Sequence, residues 1–228
     1  MRYLLSLVLL VSHFIAHSQE EPLQEAPNYG NIEKAITKKK SSFYYPLLMK
    51  RFQKADTTLT LEDKRHLYYG YQFQEKYNPY GKSVYNDSLD LSLKITNPTE
   101  DTFKDIIRYS DSILAENPFD LRTISNQLNA YETLQMEKEF MIKLFQFTST
   151  IDAIISSGDG KEEETAFYVL YVPHEYDLIN IIGLEFGGEQ SLIKTYDYLT
   201  LKENEYDLKG LYFEVSASLN HMSQMFTK

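Results

Sequence analysis

The stretch from Leu61 to Tyr80, LEDKRHLYYGYQFQEKYNPY, constrains the fold more than any other part of the chain. Six tyrosine and phenylalanine side chains lie between Tyr68 and Tyr80, and each buried aromatic ring removes roughly 150–250 Å² of surface from water. The apolar and aromatic positions surround more than one side of a helix that runs from Leu61 to Asn78-Pro79. We therefore expect a central helix that the rest of the chain covers on several faces.

Local signals mark the starts of the N-terminal helices. Thr60 is placed to accept a hydrogen bond from the backbone N–H of Asp63, whose carboxylate lies near the positive end of the helix dipole. A short first helix is expected after Asn31, which can cap it. A second helix is expected over Tyr45 to Phe52, because Pro46 is tolerated in a first helical turn.

Three amphipathic helices are predicted between Asn97 and Gly158. Asn97, followed by Pro98 and an acidic third position, is typical of a helix start. The first helix ends at Asn117-Pro118, the second begins near Asp120, and the third ends in the Ser-Ser-Gly sequence that closes at Gly158. Each helix carries one apolar stripe, so the three stripes are expected to cover one another.

Beyond Gly158 the pattern changes from helix to strand. Thr165 to Val172, TAFYVLYV, is β-branched or aromatic at most positions, which is typical of a buried strand. A short helix over His174 to Ile182 is expected next. Tyr196 to Lys202 and Leu211 to Ser216 then predict an antiparallel hairpin with a long loop.

Helices followed by strands indicate an α+β fold. We expect an N-terminal helical part, built of helical hairpins, to pack on a small, mostly antiparallel C-terminal sheet. A single α+β domain is expected over residues 31–228, helical in 31–158 and sheet-containing in 165–217.

The N-terminus has the pattern of a secretory signal peptide. Arg2 precedes the apolar run Tyr3 to Ala16, and small residues at Ala16 and Ser18 suit a signal peptidase, so residues 1–18 are expected to be removed. An extended leader, residues 19–30, is expected to follow. The chain contains no cysteine, which excludes lipoprotein acylation and disulfides. We predict export to the periplasm or beyond, with no transmembrane anchor.

The charge distribution bears on the class of partner. A formal net charge of −10 argues against nucleic-acid binding, which needs a basic face to displace counterions from phosphate. Asn31 to Lys54 is an exception, because it contains seven basic side chains against Glu33 alone. The triplet Lys38, Lys39 and Lys40 either belongs to a solvated face or contacts an anionic partner, and the sequence leaves both open.

The sequence His174-Glu175-Tyr176-Asp177, just past the predicted buried strand, is the strongest candidate for a catalytic site. A zinc-protease helix would need a second histidine four residues after the first, and Leu178 stands there. No cofactor or metal site is expected, because the remaining histidines are widely separated. A hydrolase of peptide or glycan could use His174, Glu175 and Asp177. In the alternative interpretation these residues have no catalytic role and only cap a helix or lie on the surface.

The chain contains 19 tyrosines and no tryptophan. Tyrosine presents a rigid apolar face with a polar rim, which suits binding of sugars or peptides. The other interpretation is that the tyrosines fill a core whose edges remain in contact with water.

The segments LYYGYQFQEKYNPY, PHEYDL, YDYLTL and LYFEVS, behind a leader ending in Ser-Gln, resemble an uncharacterised secreted family of the Bacteroidota, domain of unknown function 4919. The resemblance covers nearly all of the chain after the leader. It implies a periplasmic or secreted bacterial protein and supplies neither an activity nor site residues. We expect a non-enzymatic binding module of the cell envelope, whose partner is an envelope protein or polymer, with the hydrolase as the alternative.

Overall fold

A computed structural model of the chain describes residues 24–226. This part of the chain forms nine α-helices and a four-stranded sheet. The predicted signal peptide and the first residues of the leader lie outside it. The elements are α1 (Tyr29–Thr37), α2 (Tyr45–Gln53), α3 (Leu61–Gly70), α4 (Asn86–Leu93), α5 (Glu100–Glu116), α6 (Leu121–Thr133), α7 (Glu137–Ile155), β1 (Phe167–Tyr168), α8 (Pro173–Ile181), β2 (Phe186–Ile193), β3 (Tyr196–Leu201), β4 (Gly210–Glu214) and α9 (Ser216–Phe226).

The first helix begins earlier than its sequence suggests. Asn28, not Asn31, is the N-cap, and its side chain accepts a hydrogen bond from the Asn31 backbone N–H. The described leader residues before it have no regular secondary structure. They are nevertheless held in place, since the backbone N–H of Glu25 donates to the carbonyl of Ser156 at 3.0 Å.

Helix α3 is the central helix that the aromatic stretch predicts. Thr60 caps it reciprocally with Asp63, as expected. Every residue from Arg65 to Gly70 is buried, and helices α1, α2 and α7 pack around it. Its tyrosines join the main hydrophobic core together with residues of the sheet and of α8.

The predicted length of this central helix is wrong. The α-helix stops at Gly70, and Tyr71–Phe73 continue as a single 3-10 turn. The change of direction lets two later tyrosines reach separate targets: the Tyr71 hydroxyl donates to the Glu116 carbonyl at 2.6 Å, and the Tyr77 hydroxyl donates to the Leu170 carbonyl at 2.7 Å. Contacts with carbonyls so far away in the chain cannot be predicted from the spacing of apolar residues within one helix.

Helices α5, α6 and α7 pack consecutively, as their three apolar stripes predict. The cap of α5 is Thr99 rather than Asn97, because the Thr99 and Thr102 side chains each bond the other's backbone N–H. Asp120 caps α6, as predicted. The segment before α5, for which the sequence analysis makes no prediction, contains the short helix α4, which packs on α5.

The four strands lie in the order β1-β4-β3-β2, with β1 parallel to β4 and the other pairs antiparallel. The predicted α+β class with a mostly antiparallel sheet is therefore confirmed. The β3–β4 pair is the predicted hairpin. The sequence pattern missed β2, an edge strand that is exposed along most of its length and therefore shows no buried alternation.

The predicted strand over Thr165 to Val172 is wrong in extent. Only Phe167 and Tyr168 form a strand, although the segment is largely buried as expected. The backbone N–H of Val169 still donates to the Glu214 carbonyl of β4 at 3.1 Å. The N–H of the next residue, Leu170, donates to the Tyr68 hydroxyl at 3.0 Å, so a side chain of the central helix holds the chain just beyond β1. No helix in the described part of the chain is long and apolar enough to cross a membrane.

Candidate functional site

A cleft of about 680 Å³ lies between the loop that follows the central helix, helices α4 to α6 and the start of α8. Most of its lining side chains are polar, and both charges are represented. The lining includes Lys76, Tyr80, Lys82, Arg122, Asn126, His174 and Asp177.

His174 forms part of the wall of this cleft, yet its ring is almost entirely buried, with 2% of its surface exposed. Its Nε2 lies 2.9 Å from the carbonyl oxygen of Phe119, an acceptor only, so Nε2 carries the hydrogen. Its Nδ1 lies 2.8 Å from the Tyr68 hydroxyl, which therefore donates to it. The Tyr68 oxygen in turn accepts from the Leu170 N–H.

This chain of hydrogen bonds satisfies a neutral imidazole completely. Burial lowers the pKa of His174 to about 4, Arg122 acts in the same direction, and the bond to the Phe119 carbonyl opposes both. A general base needs a nitrogen that can take a proton from a substrate. His174 has none to offer, so the arrangement suits a structural histidine that links helix α3 to the start of α8.

Asp177 also faces the cleft, one helical turn after His174. The guanidinium of Arg122 lies 2.9 Å from its carboxylate. Burial raises the pKa of Asp177, while the bond to Arg122 opposes that shift. The pair places one positive and one negative group on the same wall, a surface that can bind a ligand with both donors and acceptors.

Glu175 occupies a different environment from its two neighbours. It is fully buried, and neither carboxylate oxygen has a hydrogen-bond partner among the described residues. Burial, reinforced by the nearby carboxylate of Asp197, raises the pKa of Glu175 to about 9. Asp197 itself accepts a hydrogen bond of 2.9 Å from the Gln190 side chain, and the Tyr176 hydroxyl donates to Gln190.

The structure therefore divides the three predicted candidates. His174 and Asp177 share the cleft because residues three apart lie on one helix face, whereas Glu175 lies outside the cleft lining. The sequence analysis missed the groups that surround these residues, namely Tyr68, Arg122 and Asp197. All three come from distant segments, and only Tyr68 belongs to the aromatic stretch that the sequence analysis identified.

The remaining predicted contact, the basic cluster Lys38, Lys39 and Lys40, lies in the loop that begins where α1 ends. All three side chains are exposed. None forms an ion pair with the residues that the structure describes. In the same part of the chain, no group of three or more histidine, aspartate or glutamate side chains is arranged to hold a metal ion.

Fold and site together define an α+β protein with a polar, mixed-charge cleft beside a buried and fully bonded histidine. The chain belongs to the family described as "Domain of unknown function (DUF4919)", whose model matches residues 30–224. No curated protein and no solved structure is significantly similar to it.

Proposed function

We propose that this protein is a non-enzymatic binding module of the bacterial cell envelope, and that the cleft beside α8 is its ligand site. The signal-peptide pattern of residues 1–18 and the resemblance to a secreted Bacteroidota family support export to the periplasm or the exterior. The observation that carries the proposal is a cleft of about 680 Å³ with polar walls, a size typical of sites for small ligands.

The state of His174 favours binding over catalysis. Both of its ring nitrogens are occupied by Tyr68 and the Phe119 carbonyl. The cleft retains Lys76, Lys82 and the Arg122–Asp177 pair as groups that can contact a ligand. A ligand with both hydrogen-bond donors and acceptors, such as a short peptide or an oligosaccharide, fits this lining.

The exposed Lys38–Lys40 cluster is a second contact that we propose for the partner, in this case an anionic envelope protein or polymer. Its charges are exposed and unpaired within the described chain, so binding would not require breaking internal ion pairs. Reversal of all three lysines to glutamate tests this contact separately from the cleft, by cross-linking to envelope fractions and identification of the partner.

A matched pair of substitutions on helix α6 tests the cleft. Asn126 lines it, whereas Asn129 is exposed on the same helix and outside the lining. We expect a panel of short peptides and oligosaccharides to contain a class that raises the Tm of the wild type. Asn126→Phe should abolish that shift by filling the cleft, and Asn129→Phe should retain it. A panel without any Tm shift, or a shift unaffected by Asn126→Phe, would contradict the proposal.

The alternative of a peptide or glycan hydrolase is tested with the same panel. A hydrolase that uses His174, Glu175 or Asp177 would convert one of the probes, and Asp177→Asn would stop the turnover without unfolding the protein. Such turnover would replace the binding proposal. We expect instead that every probe is recovered intact.

A further inference from the structure

A turn in the loop after the central helix places an exposed aromatic ring on the wall of the cleft. Tyr80 lines the cleft, and 46% of its surface is exposed. The backbone N–H of Gly81 donates to the carbonyl of Asn78 at 3.2 Å, so Pro79 and Tyr80 occupy the central positions of a β-turn. The other tyrosine of the described lining, Tyr171, is buried. Tyr80 therefore supplies the ring that a ligand in the cleft can reach.

The turn is held against the core by Tyr77, which lies just before it. Tyr77 is buried, and its hydroxyl donates to the Leu170 carbonyl at 2.7 Å. Its ring lies edge-on to the rings of Tyr71 and Tyr171, with centroid distances of 6.0 and 5.5 Å. A ligand that stacks on Tyr80 would therefore meet a loop that is already anchored, which lowers the entropic cost of binding.

The aliphatic side chains of the cleft lining offer little to a peptide. Leu89 and Ile113 line the cleft, yet both are buried. They already pack in a small hydrophobic cluster with Ile106 and Ala130. Peptide sites gain specificity from pockets that receive side chains of the ligand. The described lining has an accessible aromatic ring but no accessible leucine, isoleucine, valine or methionine side chain to form such a pocket.

The charged side chains of the lining nearly cancel one another. Arg122 is paired with Asp177 at 2.9 Å, and Asp120 accepts the Thr123 N–H as the cap of α6. The rest of the charged lining consists of two lysines and two acids, all four of them exposed: Lys76, Lys82, Asp90 and Glu116.

This balance of charges favours hydroxyl groups over a ligand with a net charge. Equal numbers of exposed cations and anions give no net electrostatic attraction to a charged ligand. A sugar hydroxyl both donates and accepts hydrogen bonds, so neighbouring hydroxyls can bond a carboxylate and an ammonium group at the same time. The C–H face of a sugar ring is apolar and can stack on the apolar face of a tyrosine.

We propose that the cleft binds a neutral oligosaccharide, with one sugar ring stacked on Tyr80 and its hydroxyl groups bonded to polar wall residues such as Asp90 and Asn126. This inference rests on the proposed ligand cleft and narrows its ligand to one chemical class. Peptides lack an apolar pocket for their side chains in this cleft, and acidic glycans gain no net attraction from its charges.

Saturation-transfer NMR and isothermal titration of the purified protein test the inference. The probes are short neutral oligosaccharides of glucose, mannose, xylose or N-acetylglucosamine, and the comparison sets are short oligouronates and uncharged peptides with blocked termini. We expect a neutral oligosaccharide to bind most tightly. Irradiation of tyrosine ring protons should transfer saturation to the C–H protons of its sugar ring, because these protons contact Tyr80.

Variants of Tyr80 test the stacked ring. Tyr80→Ala should weaken binding of the neutral oligosaccharide about tenfold, because it removes an aromatic contact. Tyr80→Phe keeps the ring and should stay within about threefold of the wild type. Tyr206→Ala is the matched control, because Tyr206 is exposed and lies outside the lining, and its Kd should equal that of the wild type.

A matched pair on α4 tests the polar wall. Asp90 and Asp87 are both exposed on this helix, and only Asp90 lines the cleft. Asp90→Ala should weaken binding about tenfold or more, because a hydrogen bond to a charged group is lost. Asp87→Ala should leave the Kd unchanged.

The possible outcomes separate this inference from the proposed function. Peptides or oligouronates that bind as tightly as the best neutral oligosaccharide, or more tightly, would overturn the inference and leave the ligand cleft standing. A neutral oligosaccharide whose affinity is unchanged in Tyr80→Ala would also overturn it, whereas the Asn126→Phe and Asn129→Phe pair would still report on the cleft. Failure of every class of probe to bind would contradict the proposed cleft, and this inference with it.

Discussion

Tyr68 donates its hydroxyl hydrogen to Nδ1 of His174 at 2.8 Å, across 106 positions of the chain. The same oxygen accepts the Leu170 N–H, so one phenol links the central helix, the segment after β1 and helix α8. Tyr68 and His174 are both buried. The contact joins the aromatic stretch to the sequence from His174 to Asp177, which lies far away in the chain.

Tyr68→Phe should destabilise the protein by about 2–6 kcal/mol. The substitution leaves two buried polar groups, the Leu170 N–H and His174 Nδ1, without partners, and each unsatisfied group costs about 1–3 kcal/mol. Urea unfolding measures the loss. Tyr206→Phe, at a side chain that is 64% exposed, is the matched control and should lie within about 0.5 kcal/mol of the wild type. Equal stability of the two variants would show that Tyr68 supplies only packing.

The buried His174 should make stability depend on pH. Its folded pKa of about 4 lies below the ordinary value of 6.5, so the unfolded chain takes up a proton first as pH falls. The contribution of the neutral ring is complete above pH 6.5 and is lost towards pH 4, with a slope of up to about 1.4 kcal/mol per pH unit. Urea unfolding across this window should show the stability advantage of the wild type over His174→Gln shrinking as pH falls. An advantage that stays constant would contradict the buried neutral ring.

Arg65→Lys should loosen the attachment of the leader. The Arg65 guanidinium donates to the Ser156 carbonyl and hydroxyl and to the Glu25 carbonyl at 2.7–3.0 Å, and the residue is only 8% exposed. A lysine ammonium cannot reproduce the planar arrangement of donors that makes these bonds. We therefore expect a loss of about 2–3 kcal/mol in the free energy of unfolding. Arg108→Lys, in an exposed pair with Asp105, should change stability by less than about 1 kcal/mol. Faster amide exchange at Glu25 in Arg65→Lys, and not in Arg108→Lys, would show that the leader is less firmly attached.

Two glycine substitutions are expected to differ in their effect on stability. A Cβ on Gly158 would lie 2.1 Å from the Thr165 carbonyl oxygen, so the backbone must shift, and Gly158→Ala should cost about 1–3 kcal/mol. Gly30, near the start of α1, has its nearest atom at 3.8 Å. Gly30→Ala should therefore leave the free energy of unfolding unchanged or raise it by up to about 1 kcal/mol. Thermal unfolding of both variants gives the comparison, and a stable Gly158→Ala would disprove the close approach.

Much of the fold could be predicted from signals that act over a few residues. The reciprocal cap of Thr60 and Asp63, the first-turn Pro46 and the apolar stripes of α5 to α7 depend on spacing along one helix. The same reasoning failed at Asn31 and Asn97, where a better cap stood two or three residues away. Capping is decided by the backbone angle at which the chain enters the helix, and residue type alone does not fix that angle.

The sequence by itself determined the class of the fold, the central position of the aromatic helix and the family of the chain. Tertiary structure alone decided where that helix stops, that β1 is only two residues long, and which groups surround His174, Glu175 and Asp177. The physical reason is that the properties of a buried polar group depend on the groups around it. Those groups, Tyr68 bonded to His174, Arg122 bonded to Asp177 and Asp197 near Glu175, come from other segments and meet these residues only when the core forms.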